Sequence, residues 1–404
     1  MSTPFSNSRD AKISDLIGYA KQTSDLKSHP IKVRYTESTT VQSGNYMRIT
    51  FPRKSNDAML DCRSIKMRCN LNIASTDPGC ILAGSDFRCI VNRLRVLSGS
   101  TVLLDLAEAS QAFVIESFMQ VSNMDSVYSR YLKGQQDAAT RATYPNGREY
   151  IVNVTPEGTI LNSESLLPLS RMSDLHLEYW LERPERALYS PANDTNATFS
   201  ISNIEFLCEY ITSPSISQYF NSNGLRYSVV DLSHRYNAIL AQEYLLRLSS
   251  SHVSLNGVTN VIREQQRVAD ISVSDKFELF DSGANRERYN ILVNNTQWFE
   301  EDENSIEQSW QHVTDLFPRA EFASFFDGQY ETTRNVLCTN LMAAPPEFQT
   351  LITSGIRTSA MNSDLTYRIR RTAAPATPLR ADSYLSSDAT LYMDGLGKDL
   401  KIKF

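Results

Sequence analysis

The chain has 404 residues, 41% apolar and 21% charged, with 19 Tyr and 17 Phe. That composition excludes a disordered chain or a small stapled scaffold, and the length favours two domains of about 180–200 residues over one. The net charge of −6 excludes a protein that wraps nucleic acid over most of its surface, because phosphate binding rests on clustered Lys and Arg.

The first 30 residues read as a polar arm with one amphipathic helix. Asp10 can cap it, and Ile13, Leu16, Ile17 and Ala20 follow the i, i+3, i+4, i+7 template. The helix packs on its own domain or docks on a neighbouring subunit, membrane or scaffold. The arm lacks the apolar core of a signal peptide, and no run approaches 18 apolar residues, so neither secretion by that route nor a membrane span is expected. The sequons at Asn153, Asn193, Asn196 and Asn294 then read as chance matches.

Strand patterns follow closely: Ile31–Tyr35, then Met47, Ile49 and Phe51, then Ile65–Ile73, Phe87–Val96 and Val102–Leu104. From Ile65 to Ile73, apolar residues alternate with Lys66, Arg68, Asn70 and Asn72, the period of two that half-buried strands require. Asp105 and Glu108 resemble a capping box, so one or two helices are expected through about Lys133. Strand patterning returns at Leu175–Leu181, where Trp180 falls among the polar positions. It continues from Phe199 to Tyr210, where a change of phase at Ser202–Asn203 predicts a β-bulge.

The Ser/Asn-rich stretch 213–225 reads as a linker, dividing the chain into an arm (1–30), a first β-domain (31–212) and a second (226–404). Strands are expected at Tyr227–Leu232, Tyr244–Leu248, Val253–Ile262, Ile271 with Val273, Phe277 with Leu279, Tyr289–Val293, Leu365–Ile369, Leu391 with Met393, and Leu400–Phe404. One helix is expected near Ile306, Trp310, Val313 and Phe317, opened by a capping box of Asn304 and Glu307 behind the acidic run Glu300–Glu303.

Motifs that carry chemistry are missing. There is no GxxxxGK[ST], HExxH or GxSxG. The five histidines are scattered, and His312 with Asp315 is too small a set for a metal site. Glu300–Glu303 suits a helix start better than a calcium site. The six cysteines form no CxxC pair and read as reduced thiols, with Cys69 and Cys208 on apolar faces. Arg368, Arg370 and Arg371, with Arg357 and Arg380 nearby, read as a solvated or intersubunit salt-bridging face. No catalytic residue, metal ligand or cofactor is assigned.

The segment LLPLSRMSDLHLEYWLERPERAL (Leu166–Leu188), followed by ATFSISNIEFLCEYI, resembles the end of the first jelly roll in double jelly-roll major capsid proteins of tailless icosahedral DNA viruses, virophages and polinton-like elements. In the second half, LSSSHVSLNGVTNVIRE, SGIRTSAMNSDLTYRIR and the closing LYMDGLGKDLKIKF are similar to elements of that family in the same order. The resemblance implies an all-β fold of two tandem eight-stranded antiparallel jelly rolls with a few helices in loops. It implies a non-enzymatic major capsid protein that forms pseudo-hexameric trimers in an icosahedral shell, assembled in the host cytoplasm or nucleus. The implied partners are further copies of the chain, penton and minor capsid proteins and an internal membrane, without sequence-specific nucleic acid. The arm, through Ile13, Leu16 and Ile17, would point inward. Two other readings compete: a single-jelly-roll capsid or spike protein, and a two-domain carbohydrate-binding or carbohydrate-hydrolysing β-protein, which needs paired carboxylates and exposed aromatics.

Overall fold

A computed structural model describes residues 26–54, 58–119, 127–247, 255–280, 286–299, 306–316, 336–341, 365–393 and 400–403. Its sixteen principal strands fall into two sets of eight. The first set is β1 (Lys27–Arg34), β2 (Tyr46–Thr50), β3 (Ala58–Ala74), β4 (Val91–Ser98), β5 (Thr101–Ala107), β6 (Glu149–Asn153), β7 (Leu175–Leu181) and β8 (Thr198–Thr212). The second is β9 (Leu225–Ile239), β10 (Glu243–Arg247), β11 (Leu255–Glu264), β12 (Arg286–Val293), β13 (Thr296–Gln297), β14 (Val336–Asn340), β15 (Leu365–Arg371) and β16 (Leu379–Met393).

The sheet order is the same in both sets. The first has sheets β1-β8-β3-β6 and β2-β7-β4-β5, and the second has β9-β16-β11-β14 and β10-β15-β12-β13. Adding eight to each label of the first set gives the second. All of these pairings are antiparallel. Four strands per sheet in this interleaved order make a jelly roll, so the chain is a double jelly roll. The second complete roll removes the single-roll reading.

Period-two patterning governs what is buried. In β3, Met67, Cys69 and Leu71 point into the core while Arg68 and Asn70 stay half-exposed. The register of β3 against β8 breaks between Ser202 and Glu205, where Asn203 has φ of +51°, so the bulge lies where the change of phase predicted it. A second break, between Leu207 and Glu209, has no counterpart in the patterning. There the Ser64 hydroxyl accepts the Glu209 N–H at 2.8 Å.

Several expectations change. Phe87–Ile90 is a 3₁₀ turn capped by Asp86, and the strand starts at Val91. The capping box at Asp105 does not form: β5 runs to Ala107, and Asp105 pairs with Arg93 at 2.6 Å. The helices begin only at Ala109–Met119 and Val127–Lys133. The stretch read as a linker contains the helix Pro214–Asn223, with the Ser213 hydroxyl accepting the Ile216 N–H and Pro214 in its first turn. Ile271 with Val273 and Phe277 with Leu279 are turns, not strands. The helix near Ile306 is present as Ile306–Leu316, while Asn304, Phe317 and Glu300–Glu303 lie outside the described residues.

Among the described residues two apolar clusters form the core. One lies within the second roll around Leu246, Val258, Tyr289, Ile291 and Tyr367. The other fills the first roll and continues into the second, taking in Tyr227, Val229, Val261, Phe277, Tyr384 and Leu391. The rolls therefore share a core across their junction.

Candidate assembly site: the junction and outer faces of the two rolls

The outer face of sheet β9-β16-β11-β14 abuts the first roll. Arg263 of β11 lies opposite Arg380 of β16, and two cations in direct register repel unless anions intervene. Asp382 supplies one, taking Arg263 at 3.0 Å, Arg380 at 2.8 Å and His234 Nε2 at 2.9 Å. Glu108 of the first roll supplies the other, pairing with Arg380 at 2.9 Å and with Arg186.

Glu108 can do this because it sits at the corner between β5 and the helix Ala109–Met119 with φ of +51°, which presents both its carboxylate and its carbonyl to the second roll. The Tyr384 hydroxyl donates to that carbonyl at 2.9 Å. Gln111 completes the contact, accepting from Arg263 Nη1 and donating to the Phe277 carbonyl at 2.7 Å. Burial alone would push the Asp382 carboxyl up. Arg263, His234 and Arg380 outweigh it and hold that carboxyl well below the usual range. Burial likewise opposes ionisation of Glu108, but Arg186 and Arg380 keep its carboxyl below its ordinary value. Arg380, grouped with the exposed basic stretch by sequence, belongs to this buried cluster.

A second contact comes from the β11–β12 connection, Ala269–Phe280, which straps across the first roll. Phe277 is fully buried in the first roll's core beside Gly84, Cys89 and Val114. The strap is pinned along its length. Ser190 N–H donates to the Ile271 carbonyl at 2.8 Å, and Ser85 N–H donates to Glu278 Oε1 at 2.6 Å. Arg141 pairs with Asp275 at 2.5 Å, and Lys276 Nζ donates to the carbonyls of Glu185 and Asp270, each at 2.6 Å. Burial pushes the Lys276 amine down to about 8, and burial with Asp275 nearby pushes the Glu278 carboxyl up to about 7. Ile271, Phe277 and Phe280 of this strap join the shared core, while Val273 and Leu279 stay half-buried.

The outward faces carry paired charges and aromatics. On the first roll, the Trp180 ring lies 4.9 Å from that of Tyr46, tilted by 50°, with the Arg93 guanidinium 5.4 Å from the Trp180 ring. On the second, Arg288, Arg368, Arg370 and Glu243 line a groove of about 230 Å³. Leu245, opposite Arg368 in register, is exposed, as are Tyr236, Leu240 and Trp298. Arg371 turns inward and is buried, which lowers its basicity.

Ile13, Leu16, Ile17 and Arg357 lie outside the described residues. His176 is half-buried beside Thr50, its Nδ1 2.8 Å from Thr50 Oγ1. The His312 ring lies 5.0 Å from Phe299. Among the described residues no group of three or more His, Cys, Asp or Glu is placed to hold a metal ion, and no helix is long and apolar enough to cross a membrane. All six cysteines are free thiols, five of them buried, Cys69 and Cys208 included. The junction residues Glu108, Arg263 and Asp382 were missed by sequence reading. Their charges read as a solvated face, so no signal in the sequence singled them out.

The sequence matches no protein-family model and no curated protein. Solved structures do resemble the fold. A PBCV-1 virus capsid structure superposes with a TM-score of 0.61 at 12% identity, covering 93% of this chain and 97% of that one. The Sputnik virophage structure gives 0.61 at 12% identity over 93% and 88%. The Faustovirus major capsid protein gives 0.59 at 8% identity, covering 91% of each chain. Matched over nine-tenths of its length, the chain has the double jelly-roll fold seen in these viral capsid structures.

Proposed function

We propose that this chain is a major capsid protein, a structural subunit that works by associating with copies of itself and not by catalysis. The observation that carries the reading is the duplicated roll. Two wedges of like topology, locked at a buried junction, make a rigid unit whose free flanks repeat nearly the same shape. Three such units joined head to tail close a ring of six rolls with a pseudo-hexagonal outline, which tiles an icosahedral shell. Head-to-tail contact needs different flanks to meet, and the exposed Leu245 and Trp298 of the second roll suit apolar anchors.

In this reading the protein resides in the virion, with penton and minor capsid proteins as further partners, after assembly in the host cytoplasm or nucleus. The N-terminal arm, through Ile13, Leu16 and Ile17, docks inward on minor proteins or an internal membrane. The fold likeness to capsid structures over more than nine-tenths of the chain supports the shell role. Size-exclusion chromatography with light scattering tests self-association, and a chain that stays monomeric at assembly concentrations contradicts it. A glycan array and hydrolysis screen tests the carbohydrate reading, for which specific turnover is the contrary result. Deleting residues 1–25 tests the arm: trimers survive and shells fail, whereas normal shells refute the docking role.

A further inference from the structure

The turn Pro145–Asn146–Gly147 leads into β6 and delivers Arg148 into the first roll's interior. Backbone bonds fix the approach: Gly147 N–H donates to the Leu71 carbonyl at 2.8 Å, and the Arg148 carbonyl accepts Leu71 N–H at 3.0 Å. Arg148 is only 6% exposed. Its guanidinium carbon lies 3.5 Å from the ring centroids of both Tyr131 and Tyr144, and 4.7 Å from that of Tyr150.

Aromatic rings satisfy the faces of a guanidinium. They leave its five N–H donors, which lie in the plane, without an acceptor. None of Arg148 Nε, Nη1 and Nη2 has a hydrogen-bond partner, and the Tyr144 hydroxyl and Arg141 Nε are orphaned as well. Buried donors are nearly always paired, and a buried cation without an anion is strongly unfavourable. These residues line one cavity of about 250 Å³, whose other walls include Leu71, Ile73, Ile81 and Leu82.

We propose that this cavity is a binding site for a small organic monocarboxylate with an apolar body. The carboxylate oxygens take the in-plane donors of Arg148 and the Tyr144 hydroxyl, and the hydrocarbon lies along the aliphatic wall. Charge selects a monoanion. Asp77 also lines the cavity and stays ionised, its carboxylate held low by the Ser190 hydroxyl and the Ala192 and Gly79 amides. A dianion such as phosphate meets that repulsion and has no use for the apolar wall. The volume sits below that of drug-sized pockets, which limits the ligand to a short chain.

Isothermal titration of the purified full chain with hexanoate, hexanamide and inorganic phosphate tests the proposal. Hexanoate is expected to bind saturably at one per chain, at least tenfold more tightly than hexanamide or phosphate, and Arg148→Gln to weaken it more than tenfold. Hexanamide or phosphate binding as well as hexanoate overturns the proposal, as does no saturable binding of hexanoate or unchanged binding in Arg148→Gln. Should that variant fail to fold, the comparison of the three probes on the unaltered protein decides alone.

Discussion

Phe277 of the second roll packs directly on the bare backbone of Gly84 in the first. A Cβ built on Gly84 would lie 3.1 Å from Phe277 Cδ2, 3.0 Å from Cys89 Cβ and 3.3 Å from Val114 Cγ2. Three buried neighbours crowd the same point, so none can yield cheaply.

Gly84→Ala is therefore expected to destabilise the protein by about 1–3 kcal/mol, the usual cost of overpacking. Gly84→Val should cost more and free the strap for proteolysis. Thermal unfolding with limited trypsin digestion at Arg267 and Lys276 checks this. An unchanged melting temperature for both variants would show that Phe277 does not hold the rolls together.

Asp382 neutralises two arginines that face each other across β11 and β16. Asp382→Asn leaves Arg263 and Arg380 under-compensated in a buried site and should cost roughly 3–5 kcal/mol. Because Arg263, His234 and Arg380 hold its carboxyl far below the unfolded value, its contribution is fully present above about pH 4 and fades only as pH falls through the depressed folded value. Denaturant melts at pH 4.5 and 7 should thus show the same penalty for Asp382→Asn. A penalty that disappears at pH 4.5 would contradict the arrangement.

The strap has an opposite dependence. Glu278 ionises near 7 in the fold and near 4.5 when unfolded, so the folded state holds the extra proton between those values and stability declines as pH rises from about 4.5 to 7. Lys276 ionises near 8 in the fold and near 10.5 when unfolded, so stability recovers from about pH 8 to 10.5. Strap docking is expected to be weakest at pH 7–8. Glu278→Gln should remove the acid limb, worth on the order of 3 kcal/mol. Hydrogen exchange of Ile271–Phe280 at pH 5.5 and 7.5, corrected for intrinsic rates, reads the effect, and equal protection at both values in the unaltered protein would oppose it.

Ser213 opens the helix that joins the rolls. Ser213→Ala removes the acceptor for Ile216 N–H and should cost about 1 kcal/mol. Ser213→Asp should recover most of that loss in thermal melts, because a carboxylate also caps. Failure of both variants by the same amount would mean that burial of Ser213 matters more than capping.

Strand identity was legible in most strands with one wet face, although β6, Glu149–Asn153, also alternates and is not among the expected strands. The alternation of Met67, Cys69 and Leu71 with Arg68 and Asn70 located β3, and the change of phase at Ser202–Asn203 located the bulge of β8. Burial on both sides hid another strand. β14, Val336–Asn340, carries Val336, Leu337, Cys338 and Thr339 all buried, so no period of two survives. The first half of β16 hid for a related reason: Arg380 and Asp382 occupy what looks like a polar face but is the junction. Ile271 and Phe277 misled in the opposite sense, since burial against another roll leaves the same apolar spacing as a strand without a partner strand. The junction depends on contacts such as Glu108 with Arg380, separated by most of the chain, and only the folded register brings them together.

Native mass spectrometry of the purified full chain, followed by class averages of the same sample in the electron microscope, tests the central claim most directly. A species of three times the chain mass with a six-lobed outline is the predicted result. A monomer at every concentration, or a symmetric dimer pairing like faces, would contradict it.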